Sequence, residues 1–200
     1  MIRDAYEEAA GLFVDTVAQI KAGQWQQPGL GVWTVRDLVG HTSRALLTVE
    51  TYLATPAATI DLTRPVDYYL KAAQSLADPA AVAARGREAG EALGANPTSA
   101  VRDIATRVLT SVKNAADDAL VRTPVGGMRL IDYLPSRIFE LAVHTLDLAT
   151  ALSLQVTVPA AAADVSLHLL ADIALHSGKA APVLLAATGR GTVPAGFSVL

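Results

Sequence analysis

Three side chains on two separated segments have the types and spacing of a metal-ligand set: His41, Glu140 and His144. Glu140 and His144 stand four residues apart in the run Arg137-Ile-Phe-Glu140-Leu-Ala-Val-His144-Thr-Leu-Asp147-Leu148. On a helix they share one face, one turn above the other. Most positions around them, from Ile138 to Leu152, are apolar, and a helix apolar nearly all round is buried. A carboxylate placed there is costly unless it is paired or bound to a metal. An intrahelical Glu140–His144 hydrogen bond, or an ion pair from Glu140 to Arg137 or Arg36, would also meet that cost. His41 lies seven residues past Thr34, at a position that helical spacing turns inward with Leu38, Thr42, Ala45 and Leu46. Alone it reads as a core histidine satisfied by one hydrogen bond. Taken together, two imidazoles and one carboxylate from two facing helices match a catalytic zinc site, where three protein ligands leave a fourth position for water or substrate. Asp147, three residues past His144, is placed to accept from an imidazole and fix its tautomer. A solvated or capping role is equally open to it.

A rival set, His168, Asp172 and His176, is spaced i, i+4, i+8 on one later segment. All three sit on a single helix and span about 12 Å at the helical rise, so one ion reaches two of them at most. They read as a polar, exposed face opposite an apolar side of Leu167, Leu170, Ile173 and Ala174. No P-loop, no nucleophile elbow and no dinucleotide-binding glycine pattern follows a strand. Gly189-Arg190-Gly191 is too short for a phosphate loop and reads as a turn. Cysteine is absent, which excludes disulfides, thiolate zinc sites and a cysteine nucleophile. Any thiol chemistry needs a thiol from outside. Arg36, Arg129, Arg137 and Arg190 are candidates to hold acidic substrate groups through their forked donors, with Arg137 and Arg190 singled out for substrate binding.

The elements that must position these residues are helical. Of the 200 residues, 52% are hydrophobic and 18% charged, enough apolar surface to exclude a disordered chain. Apolar spacing predicts a first helix over about Arg3 to Lys21, with Ala9, Leu12, Phe13, Thr16, Val17 and Ile20 on one face. Thr34 as N-cap with Asp37 three residues on predicts a second helix to about Leu53. A third, from about Val66 to Leu76, breaks at Asp78-Pro79 and resumes from Pro79 to Leu93. Asn96-Pro97 opens a fourth over about Thr98 to Leu120, with Val101, Ile104, Ala105, Val108, Leu109 and Val112 inward. Arg122 to Arg129 reads as a loop. A fifth helix is expected from Leu130 to Leu152 and a sixth from Ala160 to His176, with Val156 to Pro159 extended between them. The stretch from Pro182 to Leu200 has no firm assignment. Four long helices joined by modest loops argue for an all-α bundle, residues 1–153, with a short helical or α/β extension over residues 154–200.

The net charge of −3 provides no basic field, so nucleic acid is not an expected partner. The charged start Met1 to Glu8 lacks an apolar run, and no stretch of 18 apolar residues occurs; neither a signal peptide nor a membrane span is expected. The expectation is a cytoplasmic monomer or homodimer acting on small molecules.

The stretch Val32-Trp33-Thr34-Val35-Arg36-Asp37-Leu38-Val39-Gly40-His41 resembles the signature of the mycothiol-dependent maleylpyruvate isomerase family, part of the wider DinB/YfiT-like bundle superfamily. Phe139-Glu140 to His144 and Asp147-Leu148 resembles the same family's Glu-x3-His-x2-Asp helix, and the tail around Thr188-Gly189-Arg190 and Pro194 to Ser198 is more weakly similar. The resemblance implies a four-helix bundle holding a divalent metal, usually zinc, on His41, Glu140 and His144. It also implies an actinobacterial origin and mycothiol, a cysteine-bearing pseudodisaccharide thiol, as cosubstrate. Isomerases of the family carry a sizeable further C-terminal domain, which leaves the electrophile here open.

The chemistry follows from acidity. A thiol of pKa about 8.5 is mostly protonated at neutral pH, and a bound zinc ion removes that proton. The thiolate can add to a conjugated double bond, which rotates before the thiol is expelled, or the adduct can leave as product. The expected function is therefore a zinc-dependent, mycothiol-using isomerase or S-transferase. Hydrolysis by metal-activated water, or a non-catalytic metal-binding bundle, are the alternatives.

Overall fold

Helical spacing in the sequence becomes helix almost everywhere in the computed structural model, which describes residues 1–75 and 78–200. Among these residues, eight α-helices and one short hairpin follow in order: α1 (Ile2–Val17), α2 (Val35–Ala54), α3 (Pro65–Ser75), α4 (Pro79–Ala92), α5 (Pro97–Asn114), β1 (Leu120–Thr123), β2 (Gly126–Arg129), α6 (Leu130–Leu152), α7 (Ala160–His176) and α8 (Ala180–Ala187). The expected end of the third helix at Leu76 lies outside the described residues.

Four long helices, α1, α2, α5 and α6, form the bundle: α1 packs on α6 and α5, and α2 packs on α6 and α5. The core between them is built from large side chains with no exposure, among them Tyr6, Phe13, Leu38, Leu46, Leu134, Ile138, Leu141 and Leu148. Burial of each such side chain contributes about 1.5–3 kcal/mol. α2 starts as its sequence dictates. The Thr34 side chain accepts from the Asp37 amide at 3.2 Å, and Asp37 Oδ2 accepts in return from the Thr34 amide at 3.0 Å. A reciprocal cap of this kind fixes where the helix begins and hence which face His41 occupies. α6 runs over the expected range and ends in a left-handed cap at Ser153, φ 55°.

Two predicted boundaries are wrong. The first helix stops at Val17, ahead of Lys21, although Ile20 still reaches the core. The fourth stops at Asn114, and Leu120 to Arg129, read partly as helix and partly as loop, is an antiparallel hairpin with Leu120 opposite Arg129 and Thr123 opposite Gly126. The hairpin is tied down from outside itself. Asp61 Oδ2 accepts from the Gly127 amide at 2.8 Å, and the Asp61 amide donates to the Gly127 carbonyl at 2.8 Å. A β-carbon on Gly127 would run into the Thr59 carbonyl, so glycine is needed for this close approach.

The extension is helical. α7 lies on α6 and α1, burying Leu169, Ile173 and Ala174, whereas Leu167, expected on the apolar side, is exposed. α8 buries no residue. Val199 from the tail joins Val66, Phe139 and Ile173 in a small second core. Val156 to Pro159 forms no strand.

Candidate metal centre

α2 supplies His41 and α6 supplies Glu140 and His144, and packing of these two helices brings the three together. One ligand atom from each lies within 4.8 Å of the others. The two imidazoles meet edge to face, with ring centroids 4.8 Å apart at 83°. On α6 the i,i+4 spacing places His144 Nε2 at 3.3 Å from Glu140 Oε2. His144 Nδ1 lies 3.0 Å from Asp147 Oδ2, one of the two roles open to that aspartate. Glu140 Oε1 also accepts a 2.7 Å hydrogen bond from the Tyr69 hydroxyl, reaching across from α3. His41 is held otherwise: its Nδ1 is buried and has no hydrogen-bond partner among the described residues. Its ring stacks on Trp33, centroids 4.4 Å apart and planes tilted by 32°.

The charges follow from these contacts. Burial works to raise the Glu140 pKa, but the hydrogen bond from His144 and the Arg137 charge outweigh it and hold the carboxyl at about 2. Burial works against a charged His144, yet its hydrogen bonds to Asp147 and Glu140 raise it to about 9. Burial pushes His41 down to about 4, and the neighbouring His144 charge adds to this. At pH 7 and without an ion the centre thus holds an ionised carboxylate, an imidazolium and a neutral imidazole.

His41 and Glu140 border a cavity of about 360 Å³ also lined by Arg44, Arg85, Arg137 and three tyrosines, Tyr52, Tyr68 and Tyr69, with His144 set behind Glu140. Arg137 is buried, 7% exposed, and makes no ion pair among the described residues. Its guanidinium lies 4.9 Å from the Tyr133 ring centre and 5.1 Å from that of Tyr68. Its Nε donates to Ser136 Oγ at 3.0 Å. Burial opposes its charge, but the surrounding tyrosines and Glu140 hold its pKa above the usual arginine value. An always-charged guanidinium that faces a cavity and makes no direct ion pair among the described residues has donors to offer an anionic guest.

The other arginines singled out from sequence are elsewhere. Arg190 sits on the exposed turn after α8 and does not line the cavity. Arg129 pairs with Asp132 at 2.6 Å on the surface. Arg36 spans to α4, donating to the Gly90 carbonyl at 2.8 Å. Neither the Arg36 nor the Arg137 ion pair to Glu140 forms. His168 and His176 are exposed, and each ring bonds a carbonyl one turn back on α7, Asp164 at 2.9 Å and Asp172 at 2.8 Å. Sequence reasoning missed Tyr69, Trp33, Arg44 and Arg85. Trp33 left a signal, a large aromatic just ahead of the N-cap, and so did Arg44, three residues past His41 on the same helix.

Fold and site together define a helical bundle that carries two imidazoles and a carboxylate beside an arginine-lined cavity. The chain belongs to the mycothiol maleylpyruvate isomerase N-terminal domain family, whose model matches residues 6–149. No curated protein and no solved structure matches the chain. Among the described residues no helix is long and apolar enough to cross a membrane.

Proposed function

We propose that the protein is a zinc-dependent enzyme that activates a small thiol, mycothiol, for addition to an electrophilic small molecule carrying an acidic group, as an isomerase or S-transferase. One observation carries this reading: three ligand atoms of the right types lie within 4.8 Å of one another, and two of their residues, His41 and Glu140, line a cavity that also holds Arg137, which makes no ion pair among the described residues. The donor set fits the ion, since two imidazoles and one carboxylate leave a tetrahedral cation one open position. The buried Nδ1 of His41 without a protein partner fits it too. When bound, the ion supplies a positive centre that favours the deprotonated form of a thiol.

The chain's own residues do the rest. His144 would bind through Nε2 once that nitrogen has lost its proton, while its Nδ1–H donates to Asp147, which fixes the ring. Tyr69 holds the second oxygen of Glu140 and limits its rotation. Arg137 binds the acidic group of the electrophile; Arg190, the other arginine singled out for that role, lies away from the cavity. With no cysteine in the chain, no internal thiol competes for the open position.

The test is elemental analysis of protein purified without a histidine tag, followed by turnover assays with mycothiol and a panel of electrophiles. About one zinc per chain, lost in His144→Ala together with thiol-dependent turnover, is the expected result. Full turnover in a metal-free variant would overturn the reading.

A further inference from the structure

The two imidazoles of the centre are not held by the same means. His144 has a carboxylate on its Nδ1, the usual device by which proteins aim a metal-binding ring. His41 has none: its Nδ1 is buried and unpartnered among the described residues. Something else must stop this ring from turning about its side-chain bonds. The Trp33 indole lies against it at 4.4 Å between centroids.

Trp33 is itself fixed at three points. It is 8% exposed, next to the N-cap of α2, so its backbone is set by the helix start. Its Nε1 donates to the Ala83 carbonyl of α4 at 3.0 Å. Its ring fills the space over Gly86, where a β-carbon would stand 2.6 Å from Cε2 and Nε1. A glycine inside a helix sacrifices propensity, and here it opens the seat for the indole.

We infer that Trp33 is the positioning residue for His41: the stacked indole, locked onto α4 through Ala83 and Gly86, does for this ring what the Asp147 hydrogen bond does for His144. The inference rests on the proposed metal centre and adds that α4, which contributes no ligand, sets the aim of one.

The test uses the full chain, stripped of metal and titrated with zinc against a chromophoric chelator. Apo melting temperatures are recorded in parallel. Trp33→Phe retains an aromatic face and is expected to bind zinc within about threefold of wild type. Trp33→Leu removes the face, and its affinity is expected to fall by about 10–100-fold, the range for losing an orienting partner. Gly86→Ala keeps every site residue and only crowds the indole, and a weakening of about tenfold is expected. This variant decides the matter if Trp33→Leu does not fold. A merely structural tryptophan would lower the apo melting temperature and leave zinc affinity unchanged; that result, or equal loss of affinity in the Phe and Leu variants, overturns the inference. A wild-type chain that binds no zinc overturns the metal centre itself, and with it this inference.

Discussion

On α6, Glu140, His144 and Asp147 form a continuous run of hydrogen bonds, extended to α3 by the Tyr69 hydroxyl. On α2, His41 has a neighbour's ring face and no partner for its Nδ1 among the described residues. The α6 half is charged and directional, whereas the α2 half is neutral and held by packing. The contrast shows how one centre can combine two kinds of order. Hydrogen bonds fix angle sharply but tie the ring's affinity to protonation. Stacking is indifferent to pH and depends on the shape of the surrounding helices.

Breaking the α6 half at its hub should have the largest effect. Glu140→Ala is expected to abolish zinc retention. In the metal-free protein it should also cost about 1–3 kcal/mol, because Tyr69 and His144 lose a charged acceptor. Elemental analysis and urea unfolding with a chelator present would measure the two effects. Next comes Asp147→Asn, which keeps size but removes the charge that holds the His144 proton. Zinc affinity should fall by about 10–100-fold, read by chelator competition.

The contrast also predicts a pH dependence. His144 is raised to about 9 and His41 lowered to about 4, so between these values only His144 must release a proton to bind the ion. Zinc affinity should rise about tenfold per pH unit between pH 6 and pH 8. In Asp147→Asn the rise should level off at lower pH. A flat profile in the wild type would erase the distinction between the halves. In the metal-free protein the His144 contribution to stability is complete below its unfolded pKa and is lost as pH climbs through about 9. The Glu140 contribution is complete above its unfolded pKa and is lost as pH falls toward about 2. Urea midpoints across this range should therefore decline at both ends.

The smallest effect belongs to a pair outside either half. Arg107 and Glu50 bridge α5 and α2 at 2.6 Å on the surface. Arg107→Ala should cost less than about 1 kcal/mol and leave zinc affinity unchanged, a control for the larger losses.

Residues that act through helical spacing were legible in the sequence. The Thr34–Asp37 cap, the range of α6 and the shared face of Glu140 and His144 depend on neighbours within a turn or two. Tyr69 and Arg85 were not legible, because they reach the site through the packing of α3 and α4 rather than through any local pattern, whereas Arg44, three residues past His41 on α2, was within reach of the spacing argument and was passed over. The hairpin was missed for a related reason. Gly126 and Gly127 look like loop residues, but they pair with Thr123 and Arg122 and pack against Asp61 and Thr59, partners no local pattern announces. Arg190 shows the opposite error, an arginine flanked by glycines that the fold leaves in solvent.

α4 meets α2 where Gly40 faces Gly90, too close for a β-carbon on either residue. Along its own length α4 buries only Gly86 and Gly90. Backbone against backbone gives an exact seat but removes little oily surface from water, so α4 is held chiefly by its close fit and by the Trp33 and Arg36 hydrogen bonds to Ala83 and Gly90. In deuterium, its amides should exchange well before those of α1 and α6. Val82 and Arg85 of the cavity wall ride on this helix, so any loosening of α4 would reshape the wall that a guest meets.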